Sequence, residues 1–128
     1  MEAILDEEFT LPPVEHSANV SENLPIVLGC SHACSYCVIP HKRGRERSRA
    51  FDQILLEAQG LADRGAREIV LLGQIVDRYG LDIPGSPLLH DLLRSLSQYE
   101  PIKRIRFLTS HPNWMSDALI RSVAEHPK

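Results

Sequence analysis

The stretch GCSHACSYCVIPHKRGRERSR, residues 29–49, holds all three cysteines of a 128-residue chain. Cys30, Cys34 and Cys37 follow a C-x3-C-x2-C spacing. Five cations come directly after them, Lys42, Arg43, Arg45, Arg47 and Arg49, against the single acid Glu46. An odd number of clustered thiols argues for a metal rather than for disulfides. Three thiolates hold three corners of a cubic [4Fe–4S] cluster, where ordinary electron carriers use four. The missing fourth leaves one iron open to a small molecule, as catalytic zinc keeps a vacant position. A zinc site built from the three cysteines with His32 or His41 is the alternative. Structural zinc usually uses paired C-x2-C knuckles, and only one such pair is present. His32 and His41 otherwise read as solvated loop residues.

Working outward, Leu24 to Leu28 is a short apolar run that reads as a buried strand ending at Gly29. On the other side, Phe51, Ile54, Leu55, Ala58, Leu61 and Ala62 fit one helix face, with Gly65 as its stop. Ile69 to Leu72 is a second strand, and the fifteen residues GQIVDRYGLDIPGSP form a long loop after it. Ser86 then caps a helix with Pro87 at its first position and a stripe of Leu88, Leu89, Leu92, Leu93 and Leu96. Ile102 to Leu108 is a third strand, with Ser110, His111 and Pro112 in the turn beyond it. A last helix runs from about Ser116 to Glu125, with Leu119, Ile120, Val123 and Ala124 on one face. Arg104 and Arg106 alternate with Ile105 and Phe107 and face away from the apolar layer. In a barrel that side is the interior, where a buried arginine needs a partner.

Strands alternating with helices predict parallel pairing. The fold class is α/β, with three consecutive βα units over residues 24–128, preceded by a linker or arm over residues 1–23. A parallel sheet of three strands wants a further neighbour, so the chain reads as a piece of a longer protein. In such folds chemistry sits at the C-terminal ends of the strands, which is where the cysteine loop begins. The chain is 43% hydrophobic with a net charge of −3, so it is not basic overall. Residues 1–41 carry six acids and no Lys or Arg, and the cationic run stands out against them. A local anionic partner follows from that contrast. No run is long and apolar enough for a membrane span, and the N-terminus lacks a signal-peptide pattern, so the expected compartment is the cytoplasm.

The cysteine spacing, with aromatic Tyr36 just before the third thiol, resembles the signature of radical S-adenosylmethionine (SAM) enzymes. The longer pattern from Gly29 through Arg49, with LLGQ at 71–74 and RIRFLTSHP at 104–112, is similar to the methylthiotransferase family. Within it, these stretches look like the branch that acts on isopentenyl-adenosine next to the tRNA anticodon. Ser31, Ile75 and Ala50 depart from the residues usual at those positions.

The resemblance implies the first half of a partial (β/α)6 TIM-like radical SAM barrel. It implies a [4Fe–4S] cluster on Cys30, Cys34 and Cys37, with S-adenosyl-L-methionine on the open iron. Reductive cleavage of that cofactor would give methionine and a deoxyadenosyl radical. Tyr36, Gly73, Gln74 and Ser110 are the candidate cofactor contacts, with His111 a more speculative acid or base. Lys42, Arg43, Arg45 and Arg47 are candidates for the phosphates of a tRNA anticodon loop, and Arg49 for a phosphate or a structural ion pair. The family also has an N-terminal cluster domain and a C-terminal RNA-binding domain. The chain alone is therefore not expected to complete the reaction. Two other classes stay open: a relative acting on a ribosomal-protein aspartate or by other radical SAM chemistry, and a non-catalytic metal module that binds nucleic acid.

Overall fold

A computed structural model of the chain describes residues 19–128. Most of the expected arm, residues 1–18, lies outside the described residues, while Ser21 to Asn23 already belong to the first strand. The elements run β1 (Ser21–Pro25), β2 (Val27–Leu28), α1 (Ile39–Arg43), β3 (Arg47–Ser48), α2 (Phe51–Asp63), β4 (Glu68–Leu72), α3 (Leu89–Ser97), β5 (Arg104–Phe107) and α4 (Asp117–Glu125). Short 3-10 turns lie at Val76–Arg78 and Pro112–Trp114. Strands β1, β4 and β5 form a parallel sheet in that order, with Leu24 beside Leu71 and Leu71 beside Phe107. Among the described residues no helix is long and apolar enough to cross a membrane.

The expected strand at Leu24–Leu28 is in fact two. β1 pairs with β4 as far as Pro25, and Ile26 still donates to the Leu72 carbonyl at 2.9 Å. Then Val27 and Leu28 turn to an antiparallel pairing with Ser48 and Arg47. A continuous apolar run cannot reveal such a switch, because the second partner lies twenty residues downstream. The reversal rests on Gly29, whose φ is 67°. A Cβ there would stand 2.2 Å from the Arg45 carbonyl oxygen, so only glycine fits.

The core sits between the sheet and helices α2 and α3. Ile54, Ala58, Leu61 and Ala62 of α2 pack with Leu89, Leu92, Leu93 and Leu96 of α3 against Leu24, Ile69 and Leu71. Both stripes match their 3.6-residue period. Gly65 ends α2 as expected: its N–H donates to Ala62 and the Ala66 N–H to Leu61, the paired bonds of a Schellman stop.

Helix α3 starts two residues later than Pro87. Asp91 captures the Leu88 N–H at 3.0 Å, so the acid in the first turn sets the start, and Ser86 is left in the preceding turn. The loop before it is short-ranged rather than open. Consecutive turns run from Ile75 to Ser86, anchored by fully buried Tyr79, whose hydroxyl donates to the Arg49 carbonyl at 3.0 Å. Burial pushes the Tyr79 phenol up to about 12.

Helix α4 begins at Ser116, whose hydroxyl accepts from the Leu119 N–H. Its expected apolar face is only partly used. Leu119 and Ser122 are buried, while Ile120, Val123 and Ala124 are exposed. The helix leans on α3 along the i, i+3 line through Leu119 and Ser122, where Ser122 donates to the His90 carbonyl. The third strand is shorter than expected. Its arginines are exposed in this three-stranded sheet, and both find Glu68, at 3.3 Å for Arg104 and 3.5 Å for Arg106. A Ser21 hydroxyl bond, then the two arginines, hold the Glu68 carboxyl below its ordinary value.

Candidate metal centre

The loops after β2, β4 and β5 meet at the C-terminal end of the sheet. The first contact is between β2 and the residue that follows β4. A Cβ on Gly73 would lie 3.2 Å from the Val27 Cβ, so the chain after β4 runs close against β2. The Thr109 hydroxyl donates to the Gly73 carbonyl at 2.9 Å and ties the third loop to the second. Thr109 has φ 67°, a conformation that costs a β-branched residue of the order of 1–3 kcal/mol. Such strain gathers where a turn is held by its neighbours.

Those neighbours are polar. Asp77, buried in the 3-10 turn after β4, accepts the Ser110 hydroxyl at 2.7 Å and the His111 N–H at 2.6 Å. Next to it, Arg78 pairs with buried Glu46 at 2.6 Å and stacks 4.0 Å over the Trp114 ring. Glu46 is in turn held by the Ser31 hydroxyl, which accepts its N–H at 3.0 Å. His32 lies against His111, ring centres 4.6 Å apart, and meets Trp114 edge-on at 6.1 Å. A cavity of about 250 Å³ lies behind this turn, lined by Asp77, Leu89, Trp114 and Leu119 among others and by no cysteine.

Cys30 is buried at the start of its loop, fixed by its N–H bond to the Gly44 carbonyl. Cys34 and Cys37 are half-buried, and the Cys37 N–H donates to the Cys34 carbonyl at 3.1 Å. All three are free thiols. Three thiols on one open loop are a donor set that suits a cubic cluster with one iron left without a protein ligand.

Tyr36 is exposed beside these thiols. Charge on Cys34, then a hydrogen bond to it, holds the phenol above its ordinary value. Gln74 is half-buried just past β4. Ser110 is exposed on the rim with its hydroxyl donated to Asp77. Lys42, Arg43, Arg45 and Arg47 are exposed on and after α1. Arg49 turns inward instead, bonding the Pro25 carbonyl at 2.8 Å and Glu57 at 2.6 Å, the structural ion pair. His41 is exposed as expected, but on helix α1 rather than in a loop, and His32 is half-buried and packed into the rim.

Sequence reasoning missed Asp77, the Arg78–Glu46 pair and the packing of His32 on Trp114. Their partners lie 32 to 34 residues away for Asp77 and Arg78, and no local period marks them. The one available signal was an acid and a base side by side, Asp77 and Arg78, in an otherwise apolar segment.

The profile of the Radical SAM superfamily matches residues 24–127. Similar proteins include a tRNA-2-methylthio-N(6)-dimethylallyladenosine synthase of Roseiflexus sp. (strain RS-1), 56% identical over 85% of this chain and 23% of the relative. Proteins of the same name from Chloroflexus aurantiacus and Herpetosiphon aurantiacus are 54% and 50% identical, over 85% and 94% of this chain and 23% and 26% of the relatives. The chain thus spans about a quarter of the length of the curated relatives it matches. A cysteine loop at the C-terminal edge of a parallel sheet, within a profile match over most of the chain, leads to one conclusion: this chain belongs to the radical SAM superfamily.

Proposed function

We propose that this chain is the cluster-bearing part of a methylthiotransferase, and that the whole enzyme thiomethylates an isopentenyl-type adenosine next to the tRNA anticodon. The relatives' names support the substrate. The observation that carries the reading is the donor set itself: three free thiols on one loop at the strand ends.

In this reading Cys30, Cys34 and Cys37 hold a [4Fe–4S] cluster. When bound, that cluster supplies the electron for reductive cleavage of S-adenosyl-L-methionine. The rest falls to side chains of this chain. Tyr36, exposed beside Cys34, shields the loop or packs on the adenine. Gly73, without a side chain, lets a ligand approach the backbone, and Gln74 offers a donor and an acceptor. Ser110 donates to Asp77 and keeps acceptor capacity toward the cofactor. Lys42, Arg43, Arg45 and Arg47 line the approach to the loop and meet phosphates of the anticodon stem-loop.

We further propose that residues 24–128 form three βα units, the first half of a (β/α)6 barrel. The parallel order of β1, β4 and β5 supports it. So does the Ile105 N–H, which is taken not by β4 but by the Lys128 carbonyl at 2.8 Å. The relatives' greater length supports further parts beyond this chain; in this reading they carry a second cluster and an RNA-binding domain, and the enzyme works in the cytoplasm.

The test is anaerobic reconstitution of the chain with iron and sulfide. About four irons per chain and a paramagnetic resonance signal that changes on adding S-adenosyl-L-methionine are expected, both lost in Cys37→Ala. Less than one iron per chain, or a spectrum indifferent to the cofactor, overturns the reading.

A further inference from the structure

One nitrogen of His32, the Cys34 sulfur and one nitrogen of His111 all lie within 4.8 Å of one another. We propose that these three residues form a second metal site, for a single borderline-soft divalent cation such as zinc, and that it excludes the cluster because Cys34 serves both.

The donor types suit the ion. Zinc takes imidazole nitrogen at about 2.0–2.1 Å and thiolate sulfur at about 2.3 Å, and three protein ligands leave the fourth position to water. Ligand atoms on such an ion stand about 3.3–3.8 Å apart, so closing the site asks about an ångström of movement from half-buried side chains. Two of the three are already oriented. Asp77 accepts the His111 backbone N–H and fixes the turn, the His111 ring is set by its Nδ1 accepting from the Asn113 N–H, and the His32 ring lies between His111 and the edge of Trp114. That pre-orientation is what a ligand needs from its surroundings.

Binding has a stated cost. The His111 Nδ1 accepts from the Asn113 N–H at 3.2 Å. A cation on Nδ1 displaces that bond, and a cation on Nε2 moves the ring proton to Nδ1 and breaks it as well. Cys34 gives up its thiol proton to solvent when the cation binds. Cys30 and Cys37 take no part, which separates this site from the cluster reading.

Cobalt(II), which accepts the same ligands and reports a thiolate bond by its near-ultraviolet absorption, tests the site in the reduced 128-residue chain. Cobalt is expected to bind with that band in the parent, in Cys30→Ala and in Cys37→Ala. The band should vanish in Cys34→Ser, and affinity should fall about tenfold or more in His32→Ala and His111→Ala. His32→Cys, which supplies its own ligand, should restore affinity and strengthen the band, a rescue that a merely structural histidine would not give. Zinc added before iron and sulfide should lower iron uptake in the parent and not in His32→Ala; this arm alone rests on the cluster reading. No cobalt band, a band lost in Cys30→Ala or Cys37→Ala, or affinity unmoved by both histidine substitutions overturns the proposal. If the cluster reading fails instead, iron uptake is absent throughout while the cobalt results stand.

Discussion

The two ends of the sheet are held by different forces. Below, the faces of β1 and β4 are sealed by leucine and isoleucine from α2 and α3, with Leu24, Ile54, Ile69, Leu71 and Leu92 fully buried. Above, at the strands' C-terminal ends, the loops are joined by Asp77, Thr109, the Glu46–Arg78 pair and the Arg78–Trp114 stack. Apolar packing is non-directional and cooperative across many contacts. Polar contacts are few and directional, and near a surface water replaces them when they break. The lower layer should therefore set global stability, and the rim should set local geometry with little effect on the whole.

The largest effect tests the lower layer. Leu92→Ala empties a fully buried position and should cost about 2–5 kcal/mol. In a denaturant titration that loss takes a large share of a small domain's stability. A cost below about 1 kcal/mol would mean that α3 is not packed on the sheet as described.

A smaller and more local effect is expected at the rim. Asp77→Ala removes both acceptors for the turn after β5 and should cost about 1–3 kcal/mol. Ser110 is exposed and His111 half-buried, so water takes up part of the loss. Asp77→Asn keeps one acceptor and adds a donor that the Ser110 oxygen accepts, and should stay closer to the parent. Amide exchange should quicken over 110–114 in the alanine variant while the amides of β4 keep their protection. Equal quickening in both places would erase the distinction between the two ends.

The least effect, and one whose size depends on pH, concerns the start of β4. Folding lowers the Glu68 carboxyl below its usual 4.5 through Ser21 and then Arg104 and Arg106. A lowered carboxyl stabilises the fold at neutral pH, above its unfolded value, and loses that contribution as pH falls through the folded value. Glu68→Gln should therefore lie slightly below the parent in thermal midpoint near neutrality and converge with it in acid. A gap that widened in acid would reverse the assignment. Because the carboxylate is near solvent, added salt should shrink the gap as well.

The same contrast governs what could be read in advance. The stripes of α2 and α3 and the strand at Ile69–Leu72 were legible because burial imposes a period on neighbouring residues. The stop at Gly65 was legible for the same local reason. The start of α3 was not, because an acid in the first turn outcompeted a serine–proline pair that looked the better signal. The face of α4 was misread for another reason. Four residues share its apolar stripe, but α3 meets only the line through Leu119 and Ser122. In the candidate site, the cysteines declared themselves by spacing, whereas Asp77 and Glu46 did not, since their roles exist only when loops more than thirty residues apart are folded together.

By itself, then, the sequence determined the alternation of helix and strand, the apolar layer between them and three closely spaced cysteines on the loop after the first strand. Those follow from residue type and spacing within a few turns of chain. Only the tertiary structure decided that the first apolar run serves two sheets, that Arg104 and Arg106 both answer to Glu68, and that His32 is carried to Cys34 and His111. These depend on which loops converge at the strand ends, and a contact between distant segments leaves no local period to read.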